Sequence, residues 1–182
     1  MNTPDHPLHP SASADEHLAI VDALYRFGAG QDLRDRALFE SAFAEQATLD
    51  FTGPAWRLGA AIPVFEGRQA IADTIFAAIG GLDTTHTVTN PRVTAFDGGH
   101  ATLFALVEAQ HLPRHDHSRH LLLKHIYTTE MSRQGARWQI ERMQIDMVWF
   151  SGDPACCSPS RADQPLVAAL CCEYSACQRP PT

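Results

Sequence analysis

"HLLLKHIYTTEMS", residues 120–132, and "RWQIERMQIDMVWF", residues 137–150, decide the fold of this chain. Both are long, rich in β-branched and aromatic side chains, and alternate in character along their length, which is the pattern of strands with one buried face. The "RQGA" between them is a turn. Upstream, "THTVTNPRVTAFD" (85–97) and "HATLFALVEAQHL" (100–112) repeat the pattern, separated by "DGG" and followed by "PRHDHSR". Four such runs joined by short turns predict an antiparallel meander.

The first half reads differently. Ser13 followed three residues later by Glu16 has the form of a capping box, so a first helix begins there and runs to the glycines at 28 and 30. A second short helix is expected from about Arg34 to Ala44, with Asp35 as its cap and Leu38, Ala42 and Phe43 inward. "ATLDF" (47–51) reads as a short strand and "TGPAWRLGAAIP" (52–63) as a loop. A third helix is expected over Gly67 to Ile79, where Ile71, Ile75 and Ile79 repeat every four residues. Helices first and antiparallel strands afterwards is the α+β order: three N-terminal helices packed on a curved antiparallel sheet.

At 182 residues and 45% hydrophobic, the chain suits one domain with flexible ends. The expected division is a disordered lead-in over 1–13, a folded domain over 14–154 and a cysteine-rich tail over 155–182. The net charge of −7, with scattered basic residues, speaks against a nucleic-acid partner. No window has the apolar length of a membrane span and the start has no secretory pattern, so a soluble cytoplasmic protein is expected. All five cysteines, Cys156, Cys157, Cys171, Cys172 and Cys177, lie in the tail without a CxxC pair, which reads as free thiols rather than a zinc site. The histidine-rich "HLPRHDHSRH" (111–120) reads as a solvated loop, so no metal is assigned. There is no glycine-rich phosphate loop and no nucleophile elbow, which argues against nucleotide and acyl-enzyme chemistry.

The chemistry is sought in "YRFGAGQDLRD", residues 25–35. Leu18, Val21, Tyr25 and Gly28 fall at helical spacing, and the next member of that stripe is Asp32. An inward carboxylate needs a partner, because burying an unpaired ion is costly. His86, in "TTHTVTNP" at the start of the first long strand, is the candidate: the aspartate would orient the ring, leaving its other nitrogen to move a proton. The plainer alternative is a surface histidine and a helix-end aspartate. Further candidates to line a pocket are Tyr25, His111 at the end of the second strand, and His125 with Tyr127 on one face of the third. Asp146 is either a second pocket carboxylate or a salt-bridge residue at a subunit edge.

In the order "VDALYRFGAGQDLRDRALFESAFAEQATLDFTG", "TTHTVTNPRV", "LLLKHIYTTEMSRQGARWQIERMQIDMVWFSGDP", the sequence resembles the SnoaL-like group of the nuclear transport factor 2-like superfamily over residues 14 to 154. The resemblance implies an α+β cone enclosing a pocket, as a homodimer or homotrimer. It implies a cofactor-independent lyase or isomerase, foremost a dehydratase, acting on a hydrophobic polyketide-, steroid- or terpenoid-like molecule. The dehydratase members' aspartate and histidine match Asp32 and His86, whereas the tyrosine that precedes the aspartate in scytalone dehydratase is Gln31 here. Superfamily members of this fold also serve as non-catalytic ligand-binding or assembly domains, or as the β-subunit scaffold of dioxygenases.

Overall fold

The computed structural model describes residues 12–157. The expected lead-in and tail therefore fall almost wholly outside the described residues. Helix α1 spans Ala14–Asp32, α2 Arg36–Ser41, α3 Thr52–Arg57 and α4 Arg68–Ala78; strand β1 spans Phe43–Asp50, β2 Phe65–Glu66, β3 Leu82–Phe96, β4 His100–Pro113, β5 Leu121–Gln134 and β6 Arg137–Gly152. Among the described residues, no helix is long and apolar enough to cross a membrane.

The α+β order holds, with two corrections. Among the described residues there are four α-helices rather than three, because "TGPAWR" forms α3: Pro54 lies in its first turn, where a missing N–H costs nothing. The sheet is mixed rather than antiparallel. Its order is β2-β1-β6-β5-β4-β3, and β1 runs parallel to β6 while every other pairing is antiparallel. Pairing direction between β1, the third element in chain order, and the last strand leaves no local signature in the sequence. Strand β1 also begins at Phe43, four residues earlier than expected, because the Ile140 amide donates to the Ala42 carbonyl and pulls this segment onto β6 as soon as α2 ends.

Helix α1 starts where the capping box places it, with the Ser13 hydroxyl accepting from the Glu16 amide at 3.2 Å. Its buried face includes Val21 and Gly28 of the predicted stripe but is centred one position away from it. Ile20, Leu24, Phe27 and Gln31, at spacings of four, three and four, are buried, whereas Leu18 and Tyr25 are exposed. Phe27 packs against Phe39 and Phe43, with ring centroids 5.4 and 5.7 Å away. Gly30 permits the close crossing of α1 and α2: a Cβ there would lie 2.5 Å from the Phe39 amide nitrogen. Asp35 caps α2 as expected, accepting from the Leu38 amide at 2.9 Å.

The inward face of the sheet is set by alternation. On β4 the buried positions are Ala101, Leu103, Ala105, Val107 and Ala109; on β5 they include Leu121, Leu123, His125, Tyr127 and Thr129. Bulges interrupt the ladders and bend the strands. The sharpest lies in "TNPRV" of β3, where Asn90 takes a left-handed φ of 52° and the register shifts between Thr89 and Arg92. Asparagine tolerates that conformation, and the following Pro91 gives up no needed donor at this edge strand. The helices cover the inward face, and the core of Ile20, Leu24, Phe27, Phe39, Leu103 and Ile140 fills the space between them.

Candidate functional site

At the C-terminal end of α1 the Asp32 carboxylate reaches β3 instead of the core. Its Oδ1 lies 2.7 Å from His86 Nδ1 and accepts from the Thr84 hydroxyl at 2.9 Å, while Oδ2 accepts from the His86 amide at 2.7 Å. One carboxylate therefore holds His86 by both ring and backbone. The His86 side chain is only 4% exposed, and Gly28 lets it pack against the helix, since a Cβ on that glycine would stand 3.1 Å from His86 Cβ. Partial burial opposes the charge on Asp32, but the hydrogen bond and charge of His86, helped by Thr84, outweigh it and hold the carboxyl below its usual range.

A cavity of about 190 Å³ lies between helices and sheet, with His86 in its wall. Its polar lining consists of Gln31, His86, His111, His125 and Tyr127; the rest is apolar, including Phe27, Phe51 and Leu123. With Nδ1 taken by Asp32, Nε2 is the nitrogen His86 has to offer. The His111 ring is 6.1 Å from that of His86, edge to face. His125 is 3% exposed, stacked on Tyr127 at 5.9 Å and met edge-on by Phe51 at 5.7 Å. Burial, seconded by the neighbouring histidine charges, lowers His111 to about 4 and His125 to about 3, so both are neutral imidazoles at physiological pH. Burial likewise raises the Tyr127 phenol, with the Asp32 charge adding to it, so Tyr127 keeps its proton.

The structure thus brings His86, His111, His125 and Tyr127 to one cavity, with Asp32 holding His86 from outside its wall. It does not bring Tyr25 or Asp146 there. Tyr25 is 47% exposed, because the helix turns its buried face toward Leu24 and Phe27. Asp146 lies on the outer side of β6 between inward Ile145 and Met147, bonded by the Gln144 amide at 3.2 Å. Trp149 faces outward although Met147, two residues earlier, is buried, because the ladder shifts between Lys124 and His125. Among the described residues, no group of three or more His, Cys, Asp or Glu converges as a metal site, and His117 of the histidine-rich loop pairs instead with Asp83 at 2.8 Å.

Three contributors were missed. Gln31 is buried in the cavity wall, its Nε2 donating to the Phe27 carbonyl at 3.2 Å; the signal available was its place in the 20-24-27-31 series. Thr84 and Arg34 support the Asp32–His86 pair. Arg34, at a left-handed φ of 57°, donates to the Gln31 carbonyl at 2.6 Å, to the Leu82 carbonyl and to the Thr84 hydroxyl at 3.4 Å. It ties the end of α1 to the start of β3.

A bent sheet under helices with a cavity between them is a fold shared with known proteins. The chain belongs to the SnoaL-like domain family, whose model matches residues 12–144. It is 29% identical over 159 residues to terrestric acid biosynthesis cluster protein E of Penicillium crustosum, covering 84% of this chain and 96% of that one. Among solved structures it resembles a candidate aromatic ring hydroxylase of Novosphingobium aromaticivorans (TM-score 0.70, 21% identity, 80% and 99% coverage). It also resembles a candidate scytalone dehydratase of the same organism (0.65, 17%, 76% and 88%). A hexachlorocyclohexane dehydrochlorinase of Novosphingobium barchaimii is similar too (0.64, 18%, 76% and 90%).

Proposed function

We propose that this protein is a cofactor-independent lyase, and that its reaction is the elimination of water from a small hydrophobic molecule. The observation that carries the reading is the 2.7 Å contact between His86 Nδ1 and Asp32 Oδ1 at the wall of a largely apolar cavity. Membership of a family whose structural relatives include a dehydrochlorinase and a candidate dehydratase supports an elimination, since both names describe loss of HX from adjacent carbons.

His86 Nε2 takes the proton from the carbon next to a carbonyl. The C–H electron pair becomes the new C=C bond, the neighbouring C–O bond breaks, and the departing hydroxide takes the proton back from the imidazolium, leaving water and a neutral His86. Asp32 is the positioning group: it fixes the ring tautomer with Nδ1 protonated and stabilises the imidazolium that forms between the two proton transfers. Neutral His111 and Tyr127, both in the cavity wall, donate to the carbonyl oxygen as it gains charge. The apolar lining excludes water and strengthens each of these interactions.

The test is turnover of cyclic β-hydroxy ketones such as 3-hydroxycyclohexanone, followed by the absorbance of the enone. Wild-type turnover that Asp32→Asn and His86→Ala each abolish, with melting temperature held, is expected. Turnover that survives both substitutions, or a wild type inert toward the whole series, overturns the reading. The protein is further proposed to act as a homodimer or homotrimer.

A further inference from the structure

We infer that the β4–β5 end of the cavity is a recognition site for a second, uncharged oxygen function on a single-ring substrate, and that His125 is the residue that reads it. The inference rests on the lyase reading for the word substrate, but its geometry is independent of the reaction.

Both ring nitrogens of His125 are enclosed and neither has a hydrogen-bond partner among the described residues; His111 Nδ1 is in the same position. Buried polar atoms are nearly always paired, so an imidazole with no partner among the described residues marks a place where the partner comes from outside. Packing does not require a histidine here. A ring held between Tyr127 and Phe51 could be phenylalanine at no loss of contact, and the nitrogens would then be absent. Stacking against Tyr127 fixes the ring plane, so donor and acceptor are presented at set angles, one of each on a neutral imidazole.

Charge and size narrow the ligand. Among the described residues no Lys, Arg, Asp or Glu lines the cavity, so an anion or cation entering it would lose its hydration with no counter-charge from them in return. A volume of about 190 Å³ is only a little larger than the cavities of about 150 Å³ that take up benzene. One ring with small substituents fits; a steroid nucleus does not. Ala109 helps to create that room, sitting opposite His86 on one side and Leu123 on the other. The substrate therefore carries one oxygen function within reach of His86 and a second, a hydroxyl or carbonyl, set against His125.

The experiment is titration of the full chain with phenol, toluene and benzoate, read by calorimetry, in wild type, His125→Phe and His125→Gln. Phenol binding at least about tenfold tighter than toluene, with benzoate undetected, is expected of the wild type, because a site built to pair a hydroxyl rejects the analogue without one. His125→Phe should bring phenol and toluene within about twofold of each other, and His125→Gln, which keeps a donor and an acceptor, should retain the preference. A phenol-to-toluene ratio near one in the wild type would mean that water already satisfies the ring, and overturns the inference; so does a ratio unchanged in His125→Phe. Should His125→Phe fail to fold, the ring ¹⁵N resonances of wild-type histidines decide: phenol must shift those of His125, and a shift confined to His86 overturns the assignment. Binding is read without turnover, so a preserved phenol preference beside an inert enzyme discards the lyase reading alone, and active elimination with no His125 effect discards this inference alone.

Discussion

His86 and His125 line one cavity and are both almost fully buried, yet the fold treats them in opposite ways. His86 is gripped at ring and amide by a carboxylate, itself braced by Thr84. Among the described residues His125 has π contacts with Tyr127 and Phe51 and no hydrogen-bond partner for either ring nitrogen. The difference separates a group whose protonation state must change during a reaction from one whose state must not. A base needs a fixed tautomer and a counter-charge for its imidazolium; a neutral reader of hydroxyls needs the opposite, a site where charge is prohibitive.

The sharpest way to break this contrast is at the charged end. Asp32→Asn should lower kcat by about 10² to 10⁴, the range for loss of a positioned base, with the melting temperature changed by only a few degrees, as checked by calorimetry. An equal loss of stability and activity would mean that Asp32 is a structural clamp. The next largest effect lies at the neutral end and appears in stability against pH. His111 and His125 have folded values of about 4 and about 3, below the unfolded value near 6.5. Between those limits the unfolded chain binds more protons, so stability falls as the pH drops from about 6.5 toward 4, by on the order of 3 kcal/mol per histidine. Asp32 has the same sign in a lower window: its contribution is present above about pH 4 and is lost as the pH falls through its lowered folded value. Urea midpoints at pH 7 and 4.5 should diverge in the wild type and converge in a His111→Gln, His125→Phe double variant.

How much of this was legible in the sequence follows the same division. Alternation over 120–132 put His125 and Tyr127 on one face of the strand, because a strand's period of two is strict until a bulge intervenes, but which face turns inward, and that His111 joins it, came only with the folded sheet. At Trp149 the period breaks for that reason: the bulge beside it is set by pairing with β5, not by residues 147–149 themselves. On α1 the predicted stripe was rotated by about one residue. Tyr25 and Leu18 are as apolar as Leu24 and Phe27, and only the tertiary packing of Phe27 on Phe39 and Phe43 decides between the two faces. Asp32 was nonetheless flagged correctly as inward-leaning, since it lies at the edge of either face. The parallel β1–β6 pairing and the helix in "TGPAWR" depend on long-range contacts or weak local propensity, and neither leaves a pattern to read.

The cavity that joins the two ends can itself be tested. Ala109 faces inward between His86 and Leu123 at 1% exposure, so Ala109→Leu puts three more carbons into the space for ligand. Affinity for phenol should fall about tenfold or more, while stability changes by less than about 1.5 kcal/mol because the added volume enters a void rather than a packed core. Undiminished binding would place the ligand elsewhere.

Arg34 sharpens the comparison from outside the cavity. Its guanidinium donates to the Thr84 hydroxyl, which leaves that hydroxyl's own proton to point at Asp32 Oδ1, so the order of donation runs from Arg34 through Thr84 to the carboxylate that holds His86. The same side chain anchors the carbonyls of Gln31 and Leu82, which is why a non-glycine residue is kept at a left-handed φ that costs on the order of 1 kcal/mol. Arg34→Met removes the chain of donors but keeps the length of the stem. It should lower kcat by about tenfold with KM nearly unchanged, since the geometry of the base suffers and the binding surface does not, and Arg34→Lys should recover part of the loss. The phenol-to-toluene preference set by His125 should be untouched in both. If that preference falls together with kcat, the two ends of the cavity are one cooperative unit, and the division of labour between the two histidines has to be replaced by a single network.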